Sequence, residues 1–253
     1  MVRGLDRFRD HFQGYEASYV LIGGAAGSLA MEEAGLQFRA TMDLDIVLCI
    51  EALDADFGRV FWDFIRAGRY RNKQKSTGKS QFYRFYDPED KTFPEMLELF
   101  ARTLDALAYD GKGHLIPIPM GEEVSSLSAI LLDESYYEFL HTGKHNLDGL
   151  SVIDPERIIP LKARAWLDLT ARKEQGGAVD AKDIRKHKND IFRLYRIIAP
   201  DTRVAAPESV VSDMSRFLSA METESIDLKQ LGYRGESVEQ VLDGLKAIYD
   251  LVG

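Results

Sequence analysis

At 253 residues the chain has room for one large domain or two ordinary ones, and 45% of it is apolar, enough for a sizeable core. No apolar run approaches the length of a membrane span, and the opening residues Met1 to Arg7 lack a signal-peptide core, so neither a membrane partner nor export is expected. The single Cys49 rules out an intramolecular disulfide framework and fits a cytoplasmic location, while a net charge of −9 means that the molecule as a whole does not attract nucleic acid.

Residues 1 to 16 read as a short amphipathic helix, because Leu5, Phe8 and Phe12 recur at spacings of three and four. Val20, Leu21 and Ile22 form a short apolar strand that ends at Gly23 and Gly24, where the backbone can turn tightly and a ligand can come close. Good helix formers follow from Ala25 to Ala34. A second strand then opens with Asp43 and Asp45 and runs on as the apolar stretch 46–50, which includes Cys49 as a buried small hydrophobe. At strand period the two aspartates project from one face, side by side. Two such carboxylates raise each other's pKa unless a cation neutralises them. Oxygen ligands with open positions suit a hard divalent ion such as Mg2+ (or Mn2+), and glycines ahead of a helix offer free N–H groups and a positive dipole end to phosphate. Together they point to phosphoryl or nucleotidyl transfer.

Asp54 to Ala67 is predicted as a helix closed by Gly68, with Phe57, Val60, Phe61, Phe64 and Ile65 as its apolar stripe. The span from Arg66 to Arg84 holds seven basic residues and no acidic one, and Arg69 to Ser80 reads as a loop or hairpin tip. Such a local patch on an acidic protein suits phosphates, or is simply a solvated loop. Residues 81–86 read as an aromatic strand, 87–91 as a turn, 96–100 as a further strand and 114–119 as an edge strand limited by its prolines. Glu98 is the polar member of an otherwise apolar strand, costly to bury without a partner. Glu95, three residues earlier, lies on the other face.

From Ser125 the pattern turns helical. Ser126 is positioned to cap a helix over 127–140, 143–149 is a loop, and 150–153 is a short strand. Asp154, Pro155 and Glu156 make a strong helix start, Pro160 is expected to bend or restart that helix, and 161–173 continues it until Gly176 and Gly177. Helices are predicted over 180–198, 208–221 and 237–251. A second basic cluster, Lys182, Arg185, Lys186, His187, Lys188, Arg193 and Arg196, is interrupted by Asp183 and Asp190.

Gly23 and Gly24, a gap of eighteen residues, and then Asp43-Leu44-Asp45 resemble the signature of the DNA polymerase β-like nucleotidyltransferases. The run from Arg39 through Thr41 to Asp45 is similar to the subgroup that contains the AbiEii/AbiGii abortive-infection toxins. In the second half, Lys162 followed by Lys186 to Asp190 looks like that subgroup's lysine and aspartate pattern, with Asp183 competing for the aspartate's place because 173–181 looks like an insertion. The resemblance implies an α/β (α+β) fold with a mixed nucleotidyltransferase-type sheet and flanking helices over 1–124, then a mainly helical domain over 125–253 that completes the cleft. It implies catalytic and metal roles for Asp43, Asp45 and Glu98, with Mg2+ or Mn2+ as cofactor. Nucleotide contacts fall to Gly23, Gly24, Ser28, Arg39, Thr41, Lys162 and Asp190. The expected activity is transfer of a nucleotidyl group from a nucleoside triphosphate to an acceptor hydroxyl, on an RNA 3′ end or a protein. The subgroup's members act as toxin halves of toxin–antitoxin pairs or are uncharacterised relatives of them, so an antitoxin is a candidate partner. A non-catalytic nucleotide- or protein-binding module on the same fold is the alternative. The last fifty residues match no pattern of this kind.

Overall fold

The computed structural model describes residues 2–49, 52, 55–74, 80–100 and 133–251. Chain order gives α1 (Leu5–His11), β1 (Tyr19–Ile22), α2 (Gly23–Glu33), β2 (Asp43–Leu48), α3 (Ala55–Gly68), β3 (Arg71–Gln74), β4 (Ser80–Tyr86) and β5 (Met96–Phe100). Then follow α4 (Glu134–His141), β6 (Lys144–Leu147), β7 (Leu150–Ile153), α5 (Pro155–Glu174), α6 (Ala181–Tyr195), α7 (Glu208–Met221) and α8 (Val238–Ile248). The architecture is α/β: one mixed sheet of seven strands, ordered β3-β4-β5-β2-β1-β7-β6, with helices on both faces. Strand β2 sits near its middle, antiparallel to β1 and parallel to β5.

Alternation along the strands splits the core in two. Leu21, Leu44, Ile46, Leu97 and Leu99 point to one face, where Phe8 and Phe12 of α1 and Phe57, Phe61 and Phe64 of α3 cover them. Val20, Ile22, Val47 and Phe100 point to the other, under α5, α6, α7 and α8. Asp43, Asp45 and Glu98 share the parity of this second face, so the carboxylates lie beneath the C-terminal helices.

Several boundaries differ from the sequence reading, each for a physical reason. Helix α2 begins at Gly23 itself, so the glycine elbow is the first residue of the helix. The expected loop over 143–149 is half of a hairpin. Leu147 pairs with Leu150 across Asp148 and Gly149, both at positive φ, the Asp-Gly two-residue turn that matches strand twist. Strands β6 and β7 join the main sheet through β1, so the stretch 144–153, which the division at 124/125 places with the helical half, completes the sheet. The helix expected over 127–140 is seen as α4, capped by Asp133, whose carboxylate accepts from the Ser135 and Tyr136 N–H groups. Ser126 and the edge strand expected over 114–119 lie outside the described residues.

Pro160 does not interrupt or restart α5, which runs unbroken for 20 residues. Proline removes the N–H that would bond the Glu156 carbonyl. That carbonyl instead accepts a hydrogen bond from the Tyr249 hydroxyl at 2.7 Å, so a buried phenol from just beyond α8 replaces the missing donor. The last fifty residues therefore stabilise the helix that carries Lys162.

Candidate functional site

The site begins where β1 runs into α2. Gly23 has φ +66, a region that L side chains rarely adopt, and a Cβ there would sit 1.9 Å from an Asp45 carboxylate oxygen. At Gly24 a Cβ would approach Thr41 Oγ1 at 2.9 Å and Arg39 Nη2 at 3.1 Å. Asp45 thus lies against one side of the elbow, and Thr41 and Arg39 against the next residue. The N-cap is Ile22, which has no side-chain oxygen to satisfy the first-turn N–H groups of α2. Those donors, with the positive end of the helix, suit an anion.

On β2, Asp43 and Asp45 are two residues apart, and Asp45 stands directly opposite Glu98 of β5 in the parallel register. Neither aspartate makes an ion pair or hydrogen bond with another side chain among the described residues. Burial pushes the Asp45 carboxyl up to about 7, helped by the Glu98 and Asp43 charges and opposed by Lys162 and Lys186. Asp43 is also raised, first by burial, against the pull of Lys186 and Arg39. The pair is held short of positive charge.

Glu98 is engaged differently from the sequence expectation. Arg84 on β4 is its cross-strand neighbour, and the guanidinium grips the Glu98 carboxylate through Nε and Nη2. The expected set of three carboxylate ligands is therefore not assembled. Among the described residues no group of three or more His, Cys, Asp or Glu side chains is gathered as a metal centre. Two open carboxylates remain, with the third neutralised beside them. Glu95, on the other face, pairs with Arg3.

Opposite the strand, α5 and α6 bring Lys162 and Asp190 together. Asp190 is fully buried and accepts from Lys162 Nζ at 2.8 Å and from Arg39 Nε at 3.0 Å to each oxygen. Burial alone raises its carboxyl, but Lys162 and Arg39 outweigh burial and hold it below its ordinary value. Burial lowers the Lys162 ammonium, and Asp190 and Asp45 oppose that. Lys162 thus stands electrostatically between Asp190 and Asp45. Asp183, the competing aspartate, is exposed in the first turn of α6 and lies outside this network. Ser28 is not at the uncapped N–H groups either: five residues past Gly23, it lies about 7.5 Å further along α2 at ~1.5 Å per residue.

Lys186 and His187 were visible in the sequence as members of a basic cluster and of the stretch from Lys186 to Asp190, with no role of their own. Burial pushes His187 down to about 3, with Lys162 and Lys186 adding to the effect, so the imidazole is neutral. Its Nδ1 is buried without a hydrogen-bond partner. No spacing in the sequence marks that residue. The first basic stretch is largely neutralised where described: Arg66 pairs with Asp63, Arg69 with Glu89 and Arg71 with Asp87. The side chains of 72–83, which include Lys73, Lys75 and Lys79, lie outside the described residues.

No helix among the described residues is long and apolar enough to cross a membrane. Comparison with protein-family models and with curated protein sequences returned no match.

Proposed function

We propose that the chain is a metal-dependent nucleotidyltransferase similar to the DNA polymerase β-like enzymes and their AbiEii/AbiGii toxin-like subgroup. It moves a nucleotidyl group from a nucleoside triphosphate to an acceptor hydroxyl. The observation that carries this reading is an open carboxylate, Asp45, against the glycine elbow that begins α2, with the open carboxylate of Asp43 two residues before it on the same face of β2.

The residues fit a hard divalent cation. Asp45 is driven towards its neutral form by burial and by neighbouring carboxylates, and a cation on Asp43 and Asp45 would remove that penalty. When bound, Mg2+ or Mn2+ would neutralise charge on the reacting phosphate and favour the deprotonated acceptor. The chain's own residues do the rest. The N–H groups of Gly23, Gly24 and Ala25 bind phosphate oxygens. Arg39, fixed in orientation by Asp190, directs its Nη2 towards Gly24 and offers a donor at that same cradle. Lys162, held by Asp190, places a positive charge near Asp45. Arg84 holds Glu98 in orientation, which makes Glu98 a positioning neighbour of Asp45 in place of a third ligand.

Incorporation of an α-labelled nucleotide into total RNA or protein tests the reading. Wild-type protein should label an acceptor in the presence of Mg2+, and the Asp43→Ala, Asp45→Ala double variant should not. Equal labelling by both rejects the mechanism. The second reading, a non-catalytic nucleotide- or protein-binding module, draws on the capture of Glu98 by Arg84. Triphosphate binding that is indifferent to metal and releases no pyrophosphate favours it. A cytoplasmic toxin restrained by an antitoxin is the biological form of the first reading. Growth arrest on expression that disappears with Asp43→Ala is its signature.

A further inference from the structure

The last turn of α6 opens onto a groove of about 1050 Å3, lined by Tyr195, Arg196, Lys229, Tyr233 and Arg234 among others. Among the described residues Glu236 is the one acidic member of its lining. Arg196 lies over the Tyr233 ring and donates to the Leu231 carbonyl, which fixes its guanidinium in the wall. Lys229 and Arg234 are exposed, and neither side chain forms an ion pair with a carboxylate among the described residues, while the Arg234 backbone N–H donates to Glu236 Oε2 at 3.0 Å. This is a local excess of cations on a protein whose net charge is −9.

The groove is continuous with the candidate active site along the same helix. Lys182, Lys186 and Arg193 on α6 and its C-cap Arg196 recur at spacings of four, seven and three, with Asn189 completing the row, so they form a single stripe, in which Arg193 also lies 3.8 Å from Asp190. At Lys186 the stripe is one turn from Asp190, which holds Arg39 and Lys162 at the candidate site. At Arg196 it enters the groove. Ten residues separate the two, about 15 Å at ~1.5 Å per residue. One strand of nucleic acid rises about 3.4 Å per nucleotide, so that distance is roughly four to five nucleotides. A second link runs beside the first, because Leu36 lines the groove and Arg39, three residues on, binds Asp190.

We infer that the groove and the α6 stripe form a binding track for single-stranded nucleic acid, which delivers a 3′ end to Asp43 and Asp45. Cations spaced along a line follow a phosphate backbone, and the half-exposed ring of Tyr195 offers a stacking surface that tolerates any base. Delivery of the 3′ end rests on the nucleotidyl-transfer reading above. Occupation of the groove does not.

The test is fluorescence anisotropy with an end-labelled oligonucleotide of about ten residues, as RNA and as DNA, in the absence of triphosphate. Wild-type protein should bind both, and Lys229→Glu with Arg234→Glu should weaken binding at least tenfold. Losing two phosphate contacts should flatten the salt slope by about 1.4. Arg59→Glu with Arg66→Glu, on α3 across the sheet, matches the charge change and should bind as wild type. The proposal is overturned if the groove variant binds normally, or if the α3 control loses as much. It is equally overturned if a polyglutamate peptide of equal charge displaces the oligonucleotide at equal concentration, since the site would then read charge alone. A trinucleotide that binds as tightly as the longer strand contradicts the span. Loss of groove binding with nucleotide incorporation intact separates failure here from failure of the enzyme assignment.

Discussion

Replacing Asp45 by Asn should stabilise the metal-free protein at neutral and higher pH. Among the described residues Asp45 makes no ion pair or hydrogen bond with another side chain, and its carboxyl is pushed from 3.8 up to about 7, first by burial and then by Glu98, against Lys162 and Lys186. A group whose folded pKa is raised contributes stability that is complete below the unfolded value, and that contribution is lost as pH rises through the folded one. Between about pH 4 and pH 8 the wild type therefore loses stability at this site. At 1.36 kcal/mol per pH unit the rise corresponds to about 4 kcal/mol, and sharing of charge with Glu98 and Asp43 brings the expected range to about 2–4 kcal/mol. Urea denaturation in chelator-treated buffer measures it. Asp45→Asn should gain that amount on the wild type between about pH 4 and pH 8, a comparison in which any steric effect of the amide cancels. Added Mg2+ should restore the wild type at the higher pH and leave the variant unchanged. Parallel pH curves for the two proteins would show that Asp45 titrates as an ordinary surface carboxylate, and the electrostatic basis of the site would be lost.

Other outcomes follow from the same geometry. Asp190→Ala strands a buried Lys162 beside Arg39, and breaking a buried pair from one side costs about 3–5 kcal/mol, a fall in Tm of roughly 6–20 °C measurable by calorimetry. Gly23→Ala places a methyl against the Asp45 carboxylate at positive φ, so it should cost at least ~1 kcal/mol in stability and abolish Mg2+-dependent protection of Asp45, read by the same denaturation. Tyr249→Phe removes the donor on the Glu156 carbonyl and should cost about 1–3 kcal/mol, while the same change made on Pro160→Ala should cost less, because alanine restores the N–H. Equal costs in the two backgrounds would refute that account of the unbroken α5.

The parts of the fold that were legible in the sequence are those fixed by local pattern. The strand, glycine and helix order around Gly23, the shared face of Asp43 and Asp45, and helix α7 at Glu208–Met221 all follow from period and turn chemistry. The hairpin of β6 and β7 was also signalled, by Asp148-Gly149, but its strands are four residues each and polar on one side, so a loop reads equally well. What no local pattern carries is pairing across distance. Arg84 reaches Glu98 only because β4 and β5 are in register, and Tyr249 meets Glu156 across 93 residues of chain. Lys162 and Asp190 were found as a pair, but Arg39 joined them from 151 residues away. Such partners decide which charges are already neutralised, and that in turn decides which carboxylates stay open.

The most direct measurement is diffraction from crystals soaked with Mn2+ and a non-hydrolysable nucleoside triphosphate. Anomalous density should lie between the carboxylates of Asp43 and Asp45, with phosphate oxygens on the N–H groups of Gly23 and Gly24 and the Arg84–Glu98 pair intact. Manganese bound elsewhere, or a triphosphate seated away from the start of α2, would contradict the assignment.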